Sequence, residues 1–342
     1  MDGCDDRMGA FRRGGRGWVW WRRWRWVPSA IALALMLPPM DAGAKVCGDK
    51  VEGVDVPCEC GDILVSDLTL ADDPVASHTC PRDALIVRAP EAKQPLTIDL
   101  AGRALRGSGH GVGIWLFQGG GAGARIVSTG GAGVIEGFRD GIIGQGPSSV
   151  SLVDGITVQK VKRDGVRLFD VKTAEIRNST VTDAGRDGFW VSGTGYRLTG
   201  NRALRSRRVG YHLMGADAVI GIAGAGNVAE SNGTEGFSVM GRGHRLVECV
   251  ATRSGQEGMK INGVRYEIVD CRAQDNGGDG IAGRGMEWRV AGTKAIDNDN
   301  NGLAVSGRAI VDVGGNVGSG NRGRKQRRPV VQCRLGEATC TP

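Results

Sequence analysis

An all-β solenoid is predicted by three features of this chain of 342 residues. The first is a glycine that returns at Gly141, Gly165, Gly188, Gly210, Gly236, Gly258, Gly280 and Gly302. The intervals are nearly constant, and the last three are identical. Six of these glycines follow an acid: Asp140, Asp164, Asp187, Glu235, Glu257 or Asp279. A period this regular marks coils that bury their apolar faces only against their neighbours. The second feature is alternation after each glycine. Val166-Arg167-Leu168-Phe169, Phe189-Trp190-Val191-Ser192, Tyr211-His212-Leu213-Met214 and Met259-Lys260-Ile261-Asn262 all place apolar residues first and third. Period two is a strand with one buried face. The third feature is repeat size, because a pair of helices needs roughly thirty residues or more, longer than any of these intervals. Glycine supplies 58 residues without a strict third-residue period, which excludes collagen.

Residues 1–44 read as a signal peptide that stands outside the fold. Basic, tryptophan-rich Arg22-Arg23-Trp24-Arg25-Trp26 precedes an apolar run from Ala30 to Leu37, and Ala42-Gly43-Ala44 offers a small-residue cleavage site. The run is too short to span a membrane; an uncleaved anchor is the alternative reading. Residues 45–84 form a cysteine-rich N-terminal cap. Cys47, Cys58, Cys60 and Cys80 suit two disulfides in an oxidising compartment, and Cys58-Glu59-Cys60 is too tight for zinc-finger spacing. The solenoid should occupy residues 85–321. Residues 322–342 form a basic tail, Arg324-Lys325-Gln326-Arg327-Arg328, with a Cys333 and Cys340 pair.

Within each coil a second strand follows, such as Arg197-Leu198-Thr199 or Tyr266-Glu267-Ile268-Val269. A polar column comes next and holds Asp154, Asn178, Asn201, Asn227, Cys249, Cys271 and Thr293. Cys249 and Cys271 are separated by one repeat, hence by one coil. At one strand spacing they either bridge adjacent coils or stack as two free buried thiols.

The Asp-Gly-apolar-x-apolar-x-Gly units from Asp164 to Gly307 and the asparagines Asn178, Asn201 and Asn227 resemble the right-handed parallel β-helix proteins of the pectin-lyase-like superfold. The resemblance implies a right-handed parallel β-helix of about ten coils. It implies stacked asparagines that satisfy buried backbone groups. At ~4.8 Å per coil the rod is on the order of 50 Å long. The resemblance is specific for fold and not for activity.

The second and fourth residues after each glycine point outward and form two ladders. One reads Arg167, Trp190, His212, Ser238, Lys260, Ala282, Ala304, and the other Phe169, Ser192, Met214, Met240, Asn262, Arg284, Ser306. Exposed aromatics beside cations suggest a groove for an acidic polysaccharide. In elimination from a uronate Arg167 or Lys260 would neutralise the carboxylate, and His212, or Tyr211 if its ring is not buried, would take the proton. Trp190, Phe169, Asn262 and Arg284 would hold the sugar. Hydrolysis would need two carboxylates, with Asp164, Asp187 and Glu235 as candidates. His212 has no carboxylate partner visible in the sequence. The turn acids are read most simply as turn caps. Their mutual repulsion could be relieved by Arg163, Arg186 or Arg208, or by calcium; otherwise no cofactor or metal is expected. Four residues inserted after Met214 should lengthen a loop over this face.

Several family signatures are missing. Gly109-His110-Gly111 lacks the paired acids of the polygalacturonases, and the Asp-Pro-His of alginate epimerases is absent. Four histidines give little support to copper handling. The formal charge is +7, but the leader and tail hold most of the excess, which speaks against nucleic acid as a partner. The expected protein is extracytoplasmic (secreted or periplasmic) and monomeric, without a membrane span in its mature part. The competing reading is a non-catalytic surface or matrix protein, a spacer or adhesin.

Overall fold

Short alternating segments separated by Gly, Asn and Asp can neither continue as helix nor pair as tight hairpins, because each turn redirects the chain by a corner. In the computed structural model, which describes residues 44–88, 95–117 and 123–323, they wind into a parallel β-helix. Three ladders of strands run the length of the coil. The first sheet has 13 strands, and the second and third have 11 each. All pairings between coils are parallel; the exception is an N-terminal hairpin, Val46–Val51 with Val54–Val56. Coils thus number about eleven, close to the ten expected. Ladders begin at Val46–Val51, Leu68–Thr69 and Thr79–Cys80, so the cysteine-rich cap already winds as solenoid ahead of Leu85. Cys47–Cys58 and Cys60–Cys80 are the two disulfides, with Cα–Cα distances of 5.2 and 5.4 Å. Closing loops of this length removes about 3 kcal/mol each of unfolded-chain entropy. The leader, the basic tail from residue 324 and the Cys333 and Cys340 pair lie outside the described residues.

The core is a stack of like on like. Phe189, Tyr211 and Phe237 are buried in the first sheet with ring centroids 4.9 and 4.6 Å apart and planes within 5°. Ile176, Leu198, Ile220, Leu246 and Ile268 line the second sheet, and Ala203, Ala229, Ala251 and Ala273 the third. A fourth column, at the corner after the first sheet, holds Tyr196, His244, Tyr266 and Trp288, all buried. Tyr266 Oη donates to the Asn262 carbonyl at 3.0 Å.

Two polar columns satisfy the buried turn backbone. In the first, Asn227 Oδ1 accepts from the Asn201 amide and side chain, both at 3.0 Å, while Asn227 Nδ2 donates to the Leu198 carbonyl at 2.8 Å. Asn178 is not part of it. That residue turns outward at φ 49° and donates to Asp154, and Ser179 takes its place beneath Asn201. Cys249 and Cys271 do continue the column as free buried thiols. Cys249 Sγ donates to the Ile220 carbonyl at 3.2 Å, as the asparagine amides do one and two coils earlier. The second column stands at the corner between the third sheet and the first: Ser206, Asn232, Ser254, Asn276, Asn298 and Asn321, all buried. Asn276 Nδ2 donates to Asn298 Oδ1 at 2.8 Å, and Asn298 repeats the contact with Asn321 at 2.8 Å.

The four-residue insertion does not reach the first sheet. Register there is unbroken from Tyr211↔Phe237 to Ala216↔Arg242. The extra residues emerge after Val219–Ile220 as a turn bridging Ile222 and Ala225, at the corner between the second and third sheets. Glu248 fastens this turn by accepting from the Gly224 amide at 2.8 Å. Four residues inside a paired strand would have broken its ladder with a bulge, whereas a corner absorbs them without cost to register.

Candidate functional site

The outer face of the first sheet carries the sequence-predicted residues. Parallel pairing sets Arg167 beside Trp190, Trp190 beside His212, His212 beside Ser238 and Ser238 beside Lys260. In the other ladder Met214 pairs with Met240, Met240 with Asn262 and Asn262 with Arg284. Phe169 sits at an irregularity, because register shifts between Leu168 and Val171 and Asp170 adopts φ 52°. Bulges re-aim side chains. Here the Phe169 ring ends 4.4 Å from that of Trp190, tilted by 47°. The Arg167 guanidinium lies 4.2 Å from the Phe169 centroid and 5.7 Å from that of Trp190. Both rings are half-buried, which leaves an aromatic platform open to solvent on one side.

The turn acids come up beneath this face. Asp164 and Asp187 are each 1 % exposed and Glu235 8 %. Each aspartate accepts the backbone amide of the equivalent residue one coil on: Asp164 from Asp187, and Asp187 from Val209. The sequence-level reading of them as turn caps is what the geometry shows. They also neutralise the ladder. Asp164 Oδ2 lies 3.7 Å from Arg167 Nε, and Glu235 Oε1 accepts from Lys260 Nζ at 3.1 Å. His212 gains a carboxylate after all, because Asp187 Oδ2 is 3.4 Å from its Nδ1, an ion-pairing distance rather than an aligned hydrogen bond. Arg186 and Arg208 approach Asp164 and Asp187 to 3.8 and 4.0 Å.

Titration follows these contacts. Burial pushes the Asp164 carboxyl up, and the neighbouring Asp187 and Asp140 carboxylates add to the rise against the Asp187 amide and Arg186. Burial also acts on Asp187, but His212, the Val209 amide and Arg208 outweigh it and hold that carboxyl below its usual range. Glu235 is likewise lowered, its burial overcome by hydrogen bonds that include the one from Lys260. Hydrogen bonding to Glu235 in turn raises the Lys260 ammonium.

Neither ring nitrogen of His212 is accessible to solvent, and the side chain is 21 % exposed. In this rotamer the ring offers carbon atoms to the face. Tyr211 points into the core and is fully buried, its hydroxyl donating to the Val228 carbonyl at 3.3 Å. Asn262 Oδ1 accepts from the Arg284 amide at 3.2 Å, so it braces the next coil. The Arg284 side chain is exposed and makes no ion pair among the described residues.

One part of the face was missed by sequence reasoning. The ladder continues upstream through Ile143 to Trp115, with Ile143↔Arg167 and Ile143↔Trp115 paired. Trp115 and Phe117 form a second half-buried ring pair, centroids 4.2 Å apart. The signal was the glycine Gly113, which is in register with Gly141 but stands further before it than the regular interval allows.

These features define a parallel β-helix with an aromatic outer face on its first sheet. The family model described as periplasmic copper-binding protein (NosD) matches residues 149–304. No curated protein matches the sequence. Among solved structures, the A-module of the Azotobacter vinelandii mannuronan C-5 epimerase AlgE4 is similar at 14% identity over 76% of this chain and 81% of that one, with a TM-score of 0.43. A double mutant of the periplasmic alginate epimerase AlgG gives 14% over 72% and 73%, with a TM-score of 0.43. The catalytic unit of a GH87 α-1,3-glucanase from Streptomyces thermodiastaticus gives 11% over 78% and 64%, with a TM-score of 0.29. At these scores no residue role is carried over from them.

The described residues do not fit a copper centre. No three His, Cys, Asp or Glu side chains gather as a cage among them. Both His244 nitrogens face backbone groups, with Nδ1 accepting from the Ala218 amide at 3.1 Å and Nε2 3.3 Å from the Met240 carbonyl. The thiols of Cys249 and Cys271 are two donors without a third. Disulfides at the N-terminus fit an extracytoplasmic protein. No helix among the described residues is long and apolar enough to cross a membrane.

Proposed function

We propose that this is an extracytoplasmic glycan-binding β-helix whose ligand lies on the outer face of the first sheet. The observation that carries the reading is the Phe169–Trp190 ring pair with Arg167 over it, held half-open on a solvent face. Aromatic faces left in water on a rigid sheet suit the apolar C–H face of a pyranose ring, while flanking polar groups take its hydroxyls. Binding is favoured over chemistry by the turn acids, which spend their oxygens on the next coil's amides and on the ladder cations. Trp190→Ala and Phe169→Ala should each weaken polysaccharide binding by about tenfold or more while leaving the melting temperature close to wild type. Affinity electrophoresis against acidic and neutral polysaccharides, with and without Ca²⁺, reads this directly. Unchanged retention of both variants on every gel that retains the wild type would refute it.

The catalytic form of the reading, an epimerase-, lyase- or hydrolase-type enzyme on an acidic polysaccharide, puts Arg167 or Lys260 at a uronate carboxylate and His212 at the proton. It requires the imidazole to turn away from Asp187, since both nitrogens are closed off. Ultraviolet absorbance of the unsaturated elimination product, rising with wild type and flat with His212→Ala, would establish a lyase.

A further inference from the structure

We infer that the Trp115–Phe117 pair is a second sugar-stacking subsite. Together with Phe169–Trp190 it would bind a linear, uncharged polysaccharide lying along the solenoid axis. This rests on the glycan reading above and specifies its ligand.

Three observations carry it. The two ring pairs share one face and one ladder, because Trp115, Ile143, Arg167 and Trp190 are successive partners across four strands. Three steps of ~4.8 Å put Trp115 about 14 Å from Trp190 along the axis, a span for several sugar units. Between them the ladder presents Ile143, half-buried and apolar, and Arg167, whose charge is met by Asp164 and whose guanidinium lies over the Phe169 ring.

The second observation is electrostatic. The ladder's Arg167 and Lys260 each have their own acid, Asp164 at 3.7 Å and Glu235 at 3.1 Å, and the His212 ring lies 3.4 Å from Asp187. A row of uronates would have to displace these buried acids or go unpaired. The unpaired Arg284 stands four coils beyond Trp190 and cannot serve rings on the other side of it. A neutral chain meets no such cost.

The third is rigidity. Both platforms sit on paired strands of one sheet, so their separation is preset. Occupying the second costs little further ordering once the first is filled.

The experiment is isothermal titration of the protein with neutral oligosaccharides of two to eight units (cello-, manno- and laminari-series) and with oligouronates of the same lengths. Neutral oligomers should bind with affinity that climbs with length and then levels. Trp115→Ala should remove about tenfold from the longest oligomers and nothing from the shortest, and Trp115→Phe should restore most of the loss. Trp190→Ala should weaken every length. If Trp115→Ala leaves the length dependence intact while Trp190→Ala weakens binding, the second subsite is wrong and the glycan reading stands. Tighter binding of oligouronates than of every neutral series overturns the uncharged ligand. No oligosaccharide binding, or none sensitive to Trp190→Ala, overturns the reading of the face itself.

Discussion

His244 shows how the interior constrains a single side chain. It is fully buried, accepts the Ala218 amide through Nδ1 and directs Nε2 at the Met240 carbonyl, so it must be neutral with the proton on Nε2. Burial lowers its pKa, and the Met240 carbonyl and Asp217 offset only part of this. Below the ordinary histidine value of about 6.5 the unfolded chain takes up a proton that the folded chain refuses. Stability therefore falls as pH falls through this range, and the loss stops only at the lower folded value. Denaturant unfolding between pH 7 and pH 5 should show wild type losing up to about 1.4 kcal/mol per pH unit more than His244→Tyr. Equal slopes would mean that the imidazole is charged or exposed in the native state. At this scale the sequence was partly legible. His212 follows Asp187 at the same distance along the chain as Lys260 follows Glu235. That shared offset, one coil plus three, is the trace of the two cross-coil contacts with buried acids. It is invisible when each residue is sought beside its own neighbours in the chain.

The corner columns are the elements that set the coils on one another. Asn227 answers three buried groups, so Asn227→Ala leaves the Asn201 amide without a partner and takes one of two bonds each from Asn201 Nδ2, which keeps the Ile176 carbonyl, and from the Leu198 carbonyl, which keeps the Gly221 amide. The expected loss is about 2–3 kcal/mol, read by denaturant unfolding. Asn178→Ala forfeits a partly exposed contact with Asp154 and the ease with which Asn adopts φ 49°, about 1 kcal/mol. A larger cost at Asn178 than at Asn227 would reverse the assignment of the column. Asn178 and Ser179 are adjacent polar residues, and composition alone does not say which one faces inward. The second column had a clearer sequence trace, since Asn276 and Asn298 are spaced by one repeat. It went unseen because it lies in the polar stretch ahead of each Asp-Gly turn, where asparagine is ordinary. The insertion was misplaced for a related reason: length can be counted from the sequence, but only the unbroken pairing from Tyr211 to Ala216 shows which corner absorbed it.

Across the whole molecule, architecture was legible and the extent of the site was not. Regular gaps from Gly141 onward fixed the strands of the first sheet, whereas the longer interval back to Gly113 hid Trp115 and Phe117. From Gly236 to Gly302 the three gaps are equal, and every ladder and both corner columns repeat on that interval. Size in this region is accordingly quantised. Removing Met259 to Gly280 joins Gly258 to Ile281, residues that already follow one another in the pattern. The shortened rod should keep cooperative unfolding and lose one strand from each sheet. Removing one residue fewer carries nearly the same loss of mass but turns the apolar set of the next strand outward. That variant should unfold at lower denaturant or fail to fold, as circular dichroism would show. A protein built this way can change its reach by whole coils while the remaining surface stays in place, so the distance between two patches on its face is an adjustable quantity rather than a fixed property of the fold.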